Sequence, residues 1–201
     1  MIKVLLSSSL FILLTTASTL ADEQEIKMLL AKPFAKAEFT KIRKLQILSR
    51  PFTTSGKILF LPEKGLVWQT LQPIEDTLLI GLDGVSQLKE GQAEPVKIEN
   101  PVVRSASTVF ITILSLDLDK IKKIFKIKEQ STSSQIKNYT LVPKDETLKK
   151  VIKSIQLSGK ERVEEIYIEE ISGDFTLVKI HNEQFNKTAL SPSELRLLEL
   201  M

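Results

Sequence analysis

The chain has 201 residues, 42% of them hydrophobic, with 28 Lys and Arg against 25 Asp and Glu, no cysteine and one histidine. Disulfide stapling, a lipid anchor on an N-terminal cysteine and zinc held by cysteine and histidine are thereby excluded. The net charge of +3 is interspersed, and the only dense basic run lies around Lys120 to Lys128, so nothing points to nucleic acid.

Residues 1–21 read as an export signal. Lys3 supplies a positive start, residues 4–14 are apolar apart from serines, and Thr19-Leu20-Ala21 is a cleavage site. The apolar run is too short to span a bilayer unaided. Cleavage after Ala21 leaves residues 22–201, enough for one domain with a sizeable core, and places that chain in a periplasm.

Ile26, Leu29 and Leu30, with Phe34 a candidate fourth, recur at helical spacing behind acidic Asp22, Glu23 and Glu25. Pro33 ends or bends that helix. Residues 37–43 read as a strand with Ala37 and Phe39 on one face and Lys41 a candidate third. Residues 55–70 then read as a hairpin turning at Pro62 to Gly65. Gly56, Ile58 and Phe60 share a face of its first arm; Leu66 and Trp68, the only tryptophan, share one of its second. A core hairpin of any small β protein shows the same pattern.

Thr77 to Leu82 is another strand, with Leu78, Ile80 and Leu82 on one face. Asp83-Gly84 is a turn, Val85 to Leu88 a candidate continuation, and residues 90–101 loop-like. Residues 109–116 are almost wholly apolar and rich in β-branched side chains, so period alone does not separate buried helix from strand. Asp117 and Asp119 then start a basic amphipathic helix. Leu118, Ile121 and Phe125 form its stripe, and Lys120, Lys122, Lys123 and Lys126 occupy its other faces. Such a helix is most often a solvated face over a core stripe; a membrane-surface or acidic-partner role is the sharper alternative. Residues 138–142, 149–157, 162–170 and 174–182 read as strands joined by short turns, hence an antiparallel meander. Val151, Ile155 and Leu157 share a face there, as do Ile166 and Ile168, and Phe175 and Leu177. The last segment is a helix capped by Ser191 with Pro192 at its first position, or a final edge strand.

The order of these pieces resembles the LolA-like periplasmic lipoprotein carrier family. The resemblance rests on Phe39-Thr40, Ser55-Gly56 to Pro62, Gly65-Leu66-Val67-Trp68, Gln72-Pro73, Asp83-Gly84 and Tyr139 to Lys144, followed by the long meander. It implies an α+β fold: an incomplete, strongly curved antiparallel β-barrel with a helical lid over a hydrophobic cavity that shelters acyl chains. On this chain the implied lipid-binding positions are Phe39, Ile58, Phe60, Leu66, Trp68, Leu78, Ile80, Ile155 and Phe175. Residues 104–125 would supply the lid, through Phe110, Ile113, Leu114, Leu118, Ile121 and Phe125, which makes 109–116 helix. Leu66 is expected at the cavity mouth and Ile155 deeper. The implied cargo is an acylated lipoprotein or a lipid, the implied partners are an inner-membrane donor complex and an outer-membrane acceptor, and the chain is expected to act as a monomer without a cofactor. One departure stands out. The family's carriers hold the lid with an arginine at the hairpin turn, where this chain has Glu63 and Lys64. Lysine lacks the planar fork that bonds several carbonyls at once.

Catalysis finds no footing in these residues. His181 is an exposed strand residue or loop neighbour rather than a general base, and no Gly-x-Ser-x-Gly elbow occurs. Glu164-Glu165 and Glu169-Glu170 are neighbours on a strand and point to opposite faces, so neither pair forms a carboxylate dyad. Asn138-Tyr-Thr140 and Asn186-Lys-Thr188 match the glycosylation pattern, a short match frequent by chance. Two function classes therefore stand: a carrier with an apolar cavity, and an envelope adaptor of the same fold with a filled core. An acyl-hydrolase is a distant third.

Overall fold

The computed structural model describes residues 26, 29, 35–61, 63–81, 84–89, 95–99, 109, 111–114, 118–130 and 136–201. The proposed export segment, Phe110 and Leu82 lie outside them. A first meander comprises β1 (Lys36–Lys44), β2 (Phe52–Leu61), β3 (Gly65–Gln72), β4 (Asp76–Gly81), β5 (Gly84–Leu88) and β6 (Val96–Lys97). After helix α1 (Leu118–Ile124), a second comprises β7 (Phe125–Gln130), β8 (Lys137–Pro143), the one-turn helix α2 (Glu146–Lys149), β9 (Ile152–Gly159), β10 (Glu165–Glu170) and β11 (Phe175–Gln184). A 3-10 turn (Lys187–Ala189) and helix α3 (Pro192–Glu199) follow.

The two meanders join where β1 pairs with β11, giving one antiparallel sheet of 11 strands in the order β6-β5-β4-β3-β2-β1-β11-β10-β9-β8-β7. Strands β6 and β7 are its outer edges, so the sheet is not closed. The chain between those edges carries helical residues 111–114 and α1, and it must pass from one side of the sheet to the other. Ten strand spacings make that about 48 Å if the sheet were flat. Val109, Ile113, Leu114, Leu118 and Ile121 from this connection lie in the same buried cluster as one face of the sheet. That face is called inner below.

Alternation assigns the faces. Ile58 sits opposite Trp68, Phe60 opposite Leu66, and Leu66 opposite Ile80, all buried on the inner side. Leu59, Val67 and Leu79 are their outward neighbours, and they are buried too, under Leu190 and Leu198. Strands covered on both faces read as near-continuous apolar runs, which is why the arms of this hairpin show so little alternation. Gly56 is needed here because a Cβ on it would lie 1.9 Å from the Gln69 carbonyl oxygen. Gly65 has φ +131°, a conformation that side chains disfavour.

Several expectations need correction. The strand expected over 149–157 begins at Ile152, because residues 146–149 form α2, whose first amides bond to Asp145. Lys153 is an extra residue opposite the step from Glu169 to Glu170, a bulge that shifts alternation by one. Ile152 consequently joins Ile155 and Leu157 inside, and Val151 is 45% exposed. The basic helix ends at Ile124. Phe125 opens β7 opposite Pro143, so its buried ring belongs to the sheet rather than to a lid helix, and Lys126 and Lys128 lie on an edge strand. Residues 96–97 of the expected loop form β6. The C-terminal segment is the helix, not the edge strand: Ser191 and Glu194 form a capping box with Pro192 in the first turn.

Candidate functional site

The inner face is apolar on strand after strand. One row runs through Ala37, Ile58, Trp68 and Leu78, and another through Phe60, Leu66, Ile80 and Val85. On the second meander Val178, Ile166, Leu157 and Tyr139 continue it. The Phe39 ring lies against Trp68 at 4.1 Å between centroids. Against this face pack Ile113, Leu114, Leu118 and Ile121, together with helical Ile26 and Leu29. Eight of the nine expected cavity positions thus share one face: Phe39, Ile58, Phe60, Leu66, Trp68, Leu78, Ile80 and Ile155.

Phe175 does not join them. Thr176, Val178 and Ile180 are the buried positions of β11, so Phe175 points outward, where its ring meets Tyr167 at 5.4 Å. The expected contrast between a shallow Leu66 and a deep Ile155 is also absent: both have 0% exposure.

One end of the inner face is polar. The period-two series Ala37, Phe39, Lys41 continues to Arg43, which the sequence reading passed over although its spacing was the signal. The Lys41 ammonium lies 5.9 Å from the Trp68 ring centroid. Burial, then the Arg43 charge, push its pKa below the usual lysine range, with Asp76 opposing. Arg43 pairs with Glu170 at 3.1 Å, and Glu169 pairs on the other side with Lys153 at 2.8 Å. Glu169 and Glu170 therefore do diverge.

The hairpin-turn residues serve the outer side. Lys64 donates to the Leu198 carbonyl at 3.2 Å, and Glu63 pairs with Lys187, whose hydrogen bond lowers its pKa. Among the described residues, neither is bonded to the helical segments on the inner face. His181 is half-exposed, with its nearest carboxylate, Glu38, at 3.7 Å. Among the described residues, no group of three or more His, Asp or Glu is placed to hold a metal ion, and no helix is long and apolar enough to cross a membrane.

These features define a class: an open antiparallel sheet whose apolar inner face is covered by short helical segments, with a small charged collar at one end. In structure the chain is similar to LolA superfamily protein NE2245 from Nitrosomonas europaea, at TM-score 0.47 and 8% identity, over 84% of this chain and 96% of that one. It is similar to an outer-membrane lipoprotein-sorting protein domain from Vibrio parahaemolyticus at TM-score 0.45 and 12% identity, over 90% and 97%. It is also similar to the Pseudomonas aeruginosa MucA/MucB complex structure at TM-score 0.44 and 10% identity, over 88% of this chain and 60% of that one. No protein-family model and no curated protein sequence matches the chain.

Proposed function

We propose that the chain is a periplasmic carrier that shelters acyl chains of a lipoprotein or lipid during transfer toward the outer membrane. In this reading residues 1–21 direct export and are removed after Ala21. The helical segments then act as a lid over a curved sheet, and a donor at the inner membrane and an acceptor at the outer membrane complete the route. The observation that carries the reading is the continuous apolar inner face, against which Val109, Ile113, Leu114, Leu118 and Ile121 of the connection between the edge strands pack. A cover held by apolar contacts exchanges one greasy surface for another when an acyl chain enters. Each methylene buried contributes ~0.8 kcal/mol, so a chain of about fifteen is worth on the order of 10 kcal/mol. Separating the cover offsets part of that, which lets cargo leave again.

The second reading, an envelope adaptor with a filled core, is favoured by the complete burial of both Leu66 and Ile155. A titration with a fluorescent fatty acid, followed by native mass spectrometry and lipid extraction, separates the two. The carrier takes up probe to a saturating stoichiometry and Trp68 emission changes, because Trp68 lies on the inner face against Phe39. Folded protein that takes up no probe is the adaptor.

A further inference from the structure

The polar end of the inner face is a band that crosses several strands. Register carries it from Asp76 of β4 and Thr70 of β3, through Thr54 of β2, to Lys41 and Arg43 of β1 and Thr176 of β11. Phe39 and Trp68, whose rings touch, are the last apolar side chains before the band begins. An amphiphile lying along the apolar face would therefore end its hydrocarbon here.

Most charged groups of the band are partnered. Arg43 holds Glu170 at 3.1 Å, and Asp76 accepts from the Gln87 amide at 2.7 Å. Asp76 keeps its charge while accepting, so Lys41 and Arg43 are matched in number by Asp76 and Glu170. Net charge therefore selects nothing; hydrogen bonding does.

The Lys41 ammonium is partly buried, and among the described residues it makes no hydrogen bond and no ion pair. It lies over the Trp68 ring, 5.9 Å from the centroid, which attracts the charge without offering an oxygen. Opposite it on β2, the Thr54 hydroxyl oxygen is buried and has no hydrogen-bond partner. An ammonium carries three donors and a hydroxyl one, and removing them from water without an acceptor is costly. Burial and the Arg43 charge disfavour charged Lys41 more than Asp76 favours it. Two adjacent strands thus hold, side by side, a cation and a hydroxyl that the protein's own groups leave unsatisfied. The complement to both is an acceptor oxygen bearing negative charge.

We propose that Lys41 and Thr54 receive the anionic head, a carboxylate or phosphate oxygen, of an amphiphile whose hydrocarbon lies against Phe39 and Trp68. The inference rests on the carrier reading and narrows it, since the cargo is then an acidic amphiphile rather than a neutral one.

The test is calorimetric titration of the full chain, in mildly alkaline buffer, with decanoate, with decanol and with acetate. Decanol reads the apolar face alone, and acetate reads a free anion without a tail. Wild type should bind decanoate roughly tenfold more tightly than decanol, the worth of a charge-assisted hydrogen bond. Acetate at the decanoate concentration should neither bind nor compete. Lys41→Met should bring decanoate and decanol level, and Thr54→Val should narrow the preference roughly threefold. Asp76→Asn should widen it, because Asp76 opposes an anion beside Lys41. Lys179→Met, in the half-exposed outer pair with Glu165, should keep the wild-type preference. Lys41→Met should also melt no lower than wild type, since it removes a desolvated charge that lacks a partner. A lowered midpoint would mark Lys41 as structural and overturn the inference. Equal wild-type affinity for decanoate and decanol overturns it while leaving the carrier reading intact, as does full competition by acetate. Binding of neither amphiphile defeats the carrier reading, and the inference with it.

Discussion

Strands β2, β3 and β4 differ from β9, β10 and β11 in what lies on their outer face. In the first group Leu59, Val67 and Leu79 are sealed beneath Leu190 and Leu198 from the C-terminal segment. In the second, the outward positions of β10 and β11 are Glu165, Tyr167, Glu169, Phe175, Leu177 and Lys179, all exposed or half-buried and partly ion-paired. Both groups present an equivalent apolar inner face. The inner face is thus a property of the whole sheet, whereas the second buried layer belongs to a single patch made by residues distant in sequence. The largest disruption should therefore be shared by both halves, and smaller ones should be confined to the sealed half.

Leu66→Glu and Ile155→Glu test what is shared. Each places a carboxylate at a position with 0% exposure among apolar neighbours. An unpaired buried charge costs several kcal/mol, a large part of the roughly 5–15 kcal/mol that holds a domain folded. Thermal melts should show both variants largely unfolded or with strongly lowered midpoints. A folded Leu66→Glu protein beside an unfolded Ile155→Glu protein would restore the mouth-and-floor contrast that the sequence suggested and complete burial argues against.

Leu198→Ala tests the sealed layer. Leu198 is 1% exposed, and truncating such a leucine costs about 2–5 kcal/mol. Leu177→Ala, on the half-buried outer face of β11, should cost about 1 kcal/mol. Urea midpoints for the two variants measure the difference, and equal losses would dissolve the distinction between the halves.

How legible these layers were in the sequence follows from the same geometry. Inner positions such as Phe39, Ile58, Trp68 and Ile168 follow from period two, because alternation depends only on the local chain. The outer layer of β2 to β4 was not legible, since Leu59 and Val67 signal burial on a second side without naming what covers it. The Lys153 bulge was equally hidden: one extra residue exchanges the roles of Val151 and Ile152 without altering composition. Phe175 went astray because it shares an apolar face with Leu177 that the resemblance turned toward the cavity, whereas in β11 the inward positions are Thr176, Val178 and Ile180. Residues 109–116 were undecided between strand and helix until the family pattern supplied a helix, and residues 111–114 are helical. Phe125 failed the same reasoning, because the helical stripe runs one step into β7.

The smallest effect concerns acid and is expected only where α3 seals the sheet. Glu194 is 7% exposed and pairs with Lys36 at 2.6 Å, and it also accepts from the Ser191 amide at 2.9 Å. Burial by itself raises its pKa, but the Lys36 and Ser191 hydrogen bonds outweigh that and hold it below the usual carboxylate range. A depressed folded pKa favours the folded state above the unfolded value of about 4.3, and that contribution is lost as pH falls through the folded pKa. Glu194→Gln removes the charge at every pH and weakens the capping box, whose loss costs about 1 kcal/mol. The gap in stability between wild type and Glu194→Gln should be full at pH 7 and should narrow as pH drops below about 4. Glu165→Gln provides the comparison in the unsealed half, because its pair with Lys179 is about half-exposed and such pairs contribute little. Urea titrations at pH 7, 5 and 3 measure both gaps. A gap for Glu194→Gln that stays constant across that range would mean that the carboxylate acts as packing rather than as charge, and the lock between β1 and α3 would then be steric.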